Sequence, residues 1–211
     1  MGLKKRLGTS NLYTKLDPII NIIAETLDED QELKRLMCYM TKSPLAKRAK
    51  TNDGKLIEQV DLKNSLLEDE DVEIKIVNGN KETQTMSKRI YKSSYISEKV
   101  TESFPVIFIH SYYDEVRKFG SNVFSIDIFV PSIYEELMYT NRLHDIMIRI
   151  AELLHEVETD EESSEELGDL IFKIKQGSTE TKPAKSVSTT MTSIKITVND
   201  INSIVDGGSG F

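Results

Sequence analysis

Two stretches decide the fold: Val123-Phe124-Ser125-Ile126-Asp127-Ile128-Phe129-Val130, and downstream of it Asn141-Arg142-Leu143-His144-Asp145-Ile146-Met147-Ile148-Arg149-Ile150-Ala151-Glu152-Leu153-Leu154. In the first, Phe124, Ile126, Ile128 and Val130 alternate with Ser125, Asp127 and Phe129, the period of a strand with one buried face and one mixed face. Pro131 stops it, because proline cannot donate to a ladder. In the second, Leu143, Ile146, Met147, Ile150, Leu153, Leu154 and Val157 form one apolar stripe at helical spacing. Asn141 is its N-cap. A helix stripe needs an apolar face to cover, and the strand supplies one. The predicted class is α+β: a small, mostly antiparallel sheet with helices packed on one face.

Upstream, Val106–Ile109 is a continuous β-branched and aromatic run, suited to a central strand buried on both faces. Val72–Val77 alternates as a half-buried strand, and Asn78-Gly79 suits a type I′ hairpin turn. Asn80–Ser103 then reads as a return strand and a long loop. The expected sheet therefore takes strands near 72–77, 83–91, 106–110 and 122–130. Residues 45–71 are polar, with a turn at Asn52-Asp53-Gly54. Leu12, Leu16, Ile19, Ile20, Ile23 and Leu27 keep helical spacing, with Asp17 as a cap and Pro18 in the first turn. Asp28–Asp30 interrupts the pattern, and Leu33, Leu36, Met37 and Met40 resume it, with Asp30 as a second cap. This predicts two short helices or one bent helix, closed near Ser43-Pro44.

Downstream, residues 158–168 carry six carboxylates and read as a linker. Leu170–Lys175 and Ile194–Val198 read as two strands of a C-terminal β-hairpin extension, either separate from the main sheet or on its edge. Gly207–Gly210 reads as a flexible tail. The expected organisation is a domain over 1–157, followed over 158–211 by linker, hairpin and tail.

The net charge of −8 hides an asymmetry: +4 over residues 1–55 and −12 over the remainder. An acidic chain is a poor general binder of nucleic acid, while opposite-sign regions suit head-to-tail association of copies. The single cysteine, Cys38, cannot form an internal disulfide. No targeting segment is visible, and no stretch approaches the ~20 apolar residues of a spanning helix. No membrane partner is expected.

Chemistry-bearing motifs are sparse. His144 and His155 stand about three turns apart on one helix and cannot share a metal. His110, at the end of an apolar strand, is read as structural. Glu73-Ile74-Lys75, with Asp61, Asp69 and Asp71 upstream, has the spacing of a Mg-dependent nuclease site. Alternating charges on the solvent face of a strand give the same spacing without chemistry. There is no phosphate loop, dinucleotide fingerprint or nucleophile elbow. No catalytic residue, metal or cofactor is expected. Lys42, Lys47, Arg48 and Lys50 form a basic cluster without the aromatics of a single-strand binder, so a solvated loop is the plainer reading. Tyr91, Tyr95, Tyr112, Tyr113, Tyr134 and Tyr139 gather around the sheet, as core packing or as an oligomer interface.

The order of these elements resembles the tail-terminator and head–tail joining (neck) proteins of long-tailed bacteriophages. The likeness covers roughly residues 11–157. It lies in the run Phe104-Pro105-Val106-Ile107-Phe108-Ile109, the strand Ser125–Val130 and the helix Arg142–Val157. It implies a virion structural protein, assembled in the host cytoplasm, that forms a homo-oligomeric and specifically hexameric ring at the neck or tail end. Such a ring joins tail to head, caps tail-tube polymerisation and lets DNA through its lumen without sequence-specific binding. Its partners are connector and tail-tube or sheath proteins. On this reading Val72, Ile74, Ile76, Asn78, Gly79, Tyr91 and Tyr95 are the interface candidates, through strand edges and the loop 78–104. The alternatives are the nuclease through Glu73 and Lys75, and a non-viral cytoplasmic adaptor.

Overall fold

A computed structural model describes residues 16–76, 81–94, 97–101, 103–117, 121–159, 170–175, 182–183 and 189–200. The N-terminal pattern resolves into two helices, α1 (Leu16–Glu29) and α2 (Gln31–Cys38). Asp30 separates them. Its backbone is extended, and its carboxylate accepts the Leu33 N–H at 2.7 Å, so one residue ends α1 and caps α2. Helix α2 ends at Cys38, short of the expected Ser43-Pro44, because Tyr39 turns extended and side chains elsewhere satisfy the last carbonyls.

A first sheet follows, in the order β1 (Arg48–Lys50), β2 (Leu56–Glu58), β3 (Glu70–Ile76), β4 (Lys81–Met86), all antiparallel. The second sheet runs β5 (Ile90–Tyr91), β6 (Val106–Arg117), β7 (Ser121–Pro131), β10 (Thr189–Asp200), β8 (Leu170–Lys175), with β9 (Lys182–Pro183) also paired to β10. The class is thus α+β, but the expected single sheet is two. Residues 72–76 and 83–86 of the expected strands do not join 106–110 and 122–130. The polar hairpin of β3 and β4 pairs locally with β2, and only the two-residue β5 reaches β6, in parallel. The neighbour of β7 on its other side is β10, antiparallel over eleven positions. Of the two placements open to the C-terminal hairpin, the structure has the one on the main sheet.

Register explains the core. Ile107 lies opposite Ile128, Ile109 opposite Ile126, and Ile126 and Phe124 face Ile194 and Ile196. These side chains are buried on one face beneath α1, α2 and the helix α4 (Arg142–Thr159), whose Leu143, Ile146, Ile150 and Leu154 are buried against them. Asn141 caps α4, accepting from Leu143 N at 2.9 Å and His144 N at 3.3 Å. Arg149 of α4 clamps Asp30 through two bonds of 3.1 and 2.7 Å, locking the helix layer together. Burial opposes the Asp30 charge, but the Arg149 guanidinium and the Leu33 N–H outweigh it and hold this carboxyl below the usual range.

The mixed face of β7 is covered as well. Val106, Phe108 and Phe129 form a second small core with Val100, packed by Tyr91, Phe104 and Met191. Part of the stretch expected as a return strand and long loop, 80–103, thus packs on the second sheet, through Tyr91 and Val100. Arg89 and Ile90 both donate backbone N–H groups to Leu66 O, and Arg89 O accepts from Ile107 N at 2.7 Å.

Candidate assembly surface

The polar stretch after α2 forms an ordered surface loop, 41–47, in which every backbone carbonyl accepts a hydrogen bond. Arg142 Nη2 takes Thr41 O at 2.6 Å, and Met138 N takes Lys42 O at 2.8 Å. The two hydrogens of Gln59 Nε2 are shared among Ser43 O, Pro44 O and Ala46 O at 2.8, 2.6 and 2.9 Å, and Ser43 O also accepts from Ala46 N at 3.1 Å. Arg35 Nη2 donates to Leu45 O and Ala46 O at 2.7 and 2.8 Å. Gln59 N reaches Lys47 O at 2.9 Å. With seven consecutive carbonyls satisfied, the loop keeps its shape without help from a partner.

Two buried side chains organise this. Gln59, 2% exposed, also accepts the Thr41 hydroxyl at 2.8 Å. Arg142, 1% exposed, gathers the carbonyls of Leu36, Tyr39 and Thr41 from the end of α2 and that of Tyr134 from α3 (Ser132–Glu135). Burial brings its pKa down to about 10, so it stays a cation at neutral pH. Arginine suits this position because its rigid fork spans several acceptors, which an ammonium does not. The same residue thereby fixes 132–141 against the 41–47 loop, and the Lys42–Glu136 ion pair at 3.2 Å adds a rim contact.

Because polar groups face inward, apolar side chains are left outside. Leu45, Met138 and Tyr139 are 40, 62 and 88% exposed. With Leu36, Pro44 and Leu137 they line an open apolar groove of about 380 Å³. A second, polar groove of about 660 Å³ is lined by Arg35, Lys47, Arg48, Glu58, Gln59, Val60 and Asp61. Residues 42–58 hold five cations against two carboxylates. Across the same sheet, residues 68–86 hold six carboxylates against two lysines, and Glu68, Asp69 and Asp71 are exposed.

No family model, curated protein or solved structure matches this chain.

The interface candidates fare differently. Asn78, Gly79 and Tyr95 lie outside the described residues. Val72, Ile74 and Ile76 sit in β3, which is interior to its sheet, between β2 and β4. Tyr91 stacks on Phe108 with ring centroids 5.2 Å apart and donates to Lys88 O at 3.2 Å, so its ring packs on the chain's own second core. Glu73 and Lys75 share β3 register positions with Asp71, opposite Thr83 and Lys81, but their side chains are not among those described. Asp71 accepts Thr85 Oγ1 at 2.6 Å and Asp69 accepts Lys88 N at 2.6 Å. Among the described residues no group of three metal-ligating side chains comes together.

His110 is not at a strand end. β6 runs on to Arg117, and His110 Nε2 meets Asp127 Oδ2 at 3.0 Å. The Asp127 hydrogen bond raises the His110 pKa against burial. Burial opposes the Asp127 charge, but His110 and Ser125 lower that pKa overall. Ser125 donates to the carboxylate at 2.7 Å and not to the imidazole, so these three residues do not form a nucleophile–base relay.

Reading the sequence missed Gln59, Arg35 and Arg142 as organisers of this surface. The only local signal was a polar stretch whose backbone groups needed partners. Nothing in it says that a glutamine some fifteen residues on supplies them.

Proposed function

We propose that this chain is a structural subunit that assembles with copies of itself into a ring at the neck or tail end of a long-tailed phage, joining tail to head around the DNA channel. The reading rests on the likeness of element order over residues 11–157, and one structural observation supports it. Among the described residues no further strand pairs with the first sheet beyond β1 or β4, and beside β1 there is one isolated bridge, Thr41 to Thr51. Open edges are templates for another strand. Two different edges on one subunit favour a heterologous contact, which closes into a ring when its rotation allows.

The test is electron microscopy of the full chain expressed with its genomic neighbours. Closed rings, alone or on tail ends, are the expected result. A chain that stays monomeric beside those neighbours and binds none of them overturns the reading.

A further inference from the structure

We propose that the loop 41–47 and the segment 137–140 form a preformed receptor for a second copy of this chain, which docks there through the acidic base of its β3–β4 hairpin. The inference rests on the ring reading and names the contact within it.

Three observations carry it. The first is rigidity. All seven carbonyls of the loop are held by Arg142, Met138, Gln59 and Arg35. A loop already fixed in shape has little ordering entropy left to lose on binding. The second is exposure. Tyr139, Met138 and Leu45 project from this frame beside an open groove. Aromatic and methionine side chains are favoured at the centres of interfaces, and tyrosine among their energetic anchors. Ion pairs are not their function here, and the protein core is complete without them.

The third is charge, and it selects the occupant. The receptor is rimmed by Lys42, Lys47, Arg48 and Lys50, all exposed. The same molecule presents the matching surface elsewhere, the exposed carboxylates Glu68, Asp69 and Asp71 at and just before the start of β3, two strands from β1. Lys42 is already paired with Glu136 and Arg48 with Glu58, but both pairs are on the surface, so they can re-form across a contact at small cost. A surface carrying plug and socket at different places associates head to tail, not about a two-fold axis.

The experiment uses the full chain in sedimentation velocity with chemical cross-linking, and three groups of variants whose folding is checked by thermal melting. Tyr139→Ala with Leu45→Glu blocks the groove. Lys47→Glu with Arg48→Glu reverses the socket, and Glu68→Lys with Asp71→Lys reverses the plug. Each group should weaken self-association by about tenfold or more, which is about 1.4 kcal/mol. Mixing the socket-reversed with the plug-reversed chains should restore it, because each then offers one matched plug–socket pair to the other. Variants that associate as tightly as the unaltered chain, or a mixture that stays weak, overturn the receptor while rings can still form by another contact. An unaltered chain that never associates, alone or with its genomic neighbours, overturns the receptor and the ring reading together.

Discussion

At the scale of single residues, buried polar side chains shape the surface. Gln59→Leu keeps the side chain's size but orphans the Pro44 carbonyl and the Thr41 hydroxyl, since Ser43 O still accepts from Ala46 N and Ala46 O from Arg35. Unpaired buried groups cost about 1–3 kcal/mol, so urea denaturation should show a loss in that range. Arg142→Met removes a cation that holds four carbonyls and should cost about 3 kcal/mol or more. Arg142→Lys should recover only part of it, since one ammonium cannot span those acceptors. His110 gives a pH test. Its folded pKa lies above the usual 6.5, so its contribution to stability is complete below about 6.5 and fades as pH rises through the folded value. Asp127, lowered from 3.8, contributes above about 3.8 and fades as pH falls through its folded value. The pair is therefore fully stabilising between about pH 4 and 6.5. Melting temperatures at pH 6 and pH 9 should differ less in His110→Gln than in the unaltered protein; an equal difference would dissociate the histidine from the pH effect.

At the scale of elements, Asp30 does two tasks that substitution can separate. Asn is as good an N-cap as Asp but carries no charge. Asp30→Asn should keep the cap of α2 and lose the charge pairing with Arg149, which is partly buried. Asp30→Ala should lose both and be the less stable of the two by about 1 kcal/mol. Equal unfolding midpoints for the two variants would mean that the cap contributes nothing. Because the Asp30 pKa is lowered, its contribution holds above about 3.8 and disappears as pH falls through the folded value.

At the scale of the whole molecule, the C-terminal strands complete the core. Ile196 is 0% exposed and lies opposite Phe124, and β10 pairs β7 over eleven positions. Ile196→Ala should cost about 2–5 kcal/mol, the range for a buried aliphatic truncation. A chain cut at residue 157 would bare that edge of β7 and the side chains of Phe124 and Ile126, and should aggregate or fail to give a cooperative melt. A truncated chain that melts cooperatively at the temperature of the full protein would show that residues 158–211 add nothing to the core.

The sequence by itself determined the local elements. Period-two alternation marked β7, the apolar stripe marked α4, and Asp30 and Asn141 were readable as caps because these signals depend on neighbours within a few residues. The α+β class followed, since stripe and strand face need each other. Only the tertiary structure decided how the strands divide. The hairpin of β3 and β4 joins a sheet of its own, and the place beside β7 goes to Thr189–Asp200. Pairing over such separations depends on which ladder buries the most apolar side chains, and a one-residue slip would turn Ile194 and Ile196 away from the helices. The candidate surface was hidden for the same reason. Its shape is set by hydrogen bonds from Arg35, Gln59 and Arg142, the last about a hundred residues along the chain from the carbonyls it holds, and no local spacing records a bond of that reach.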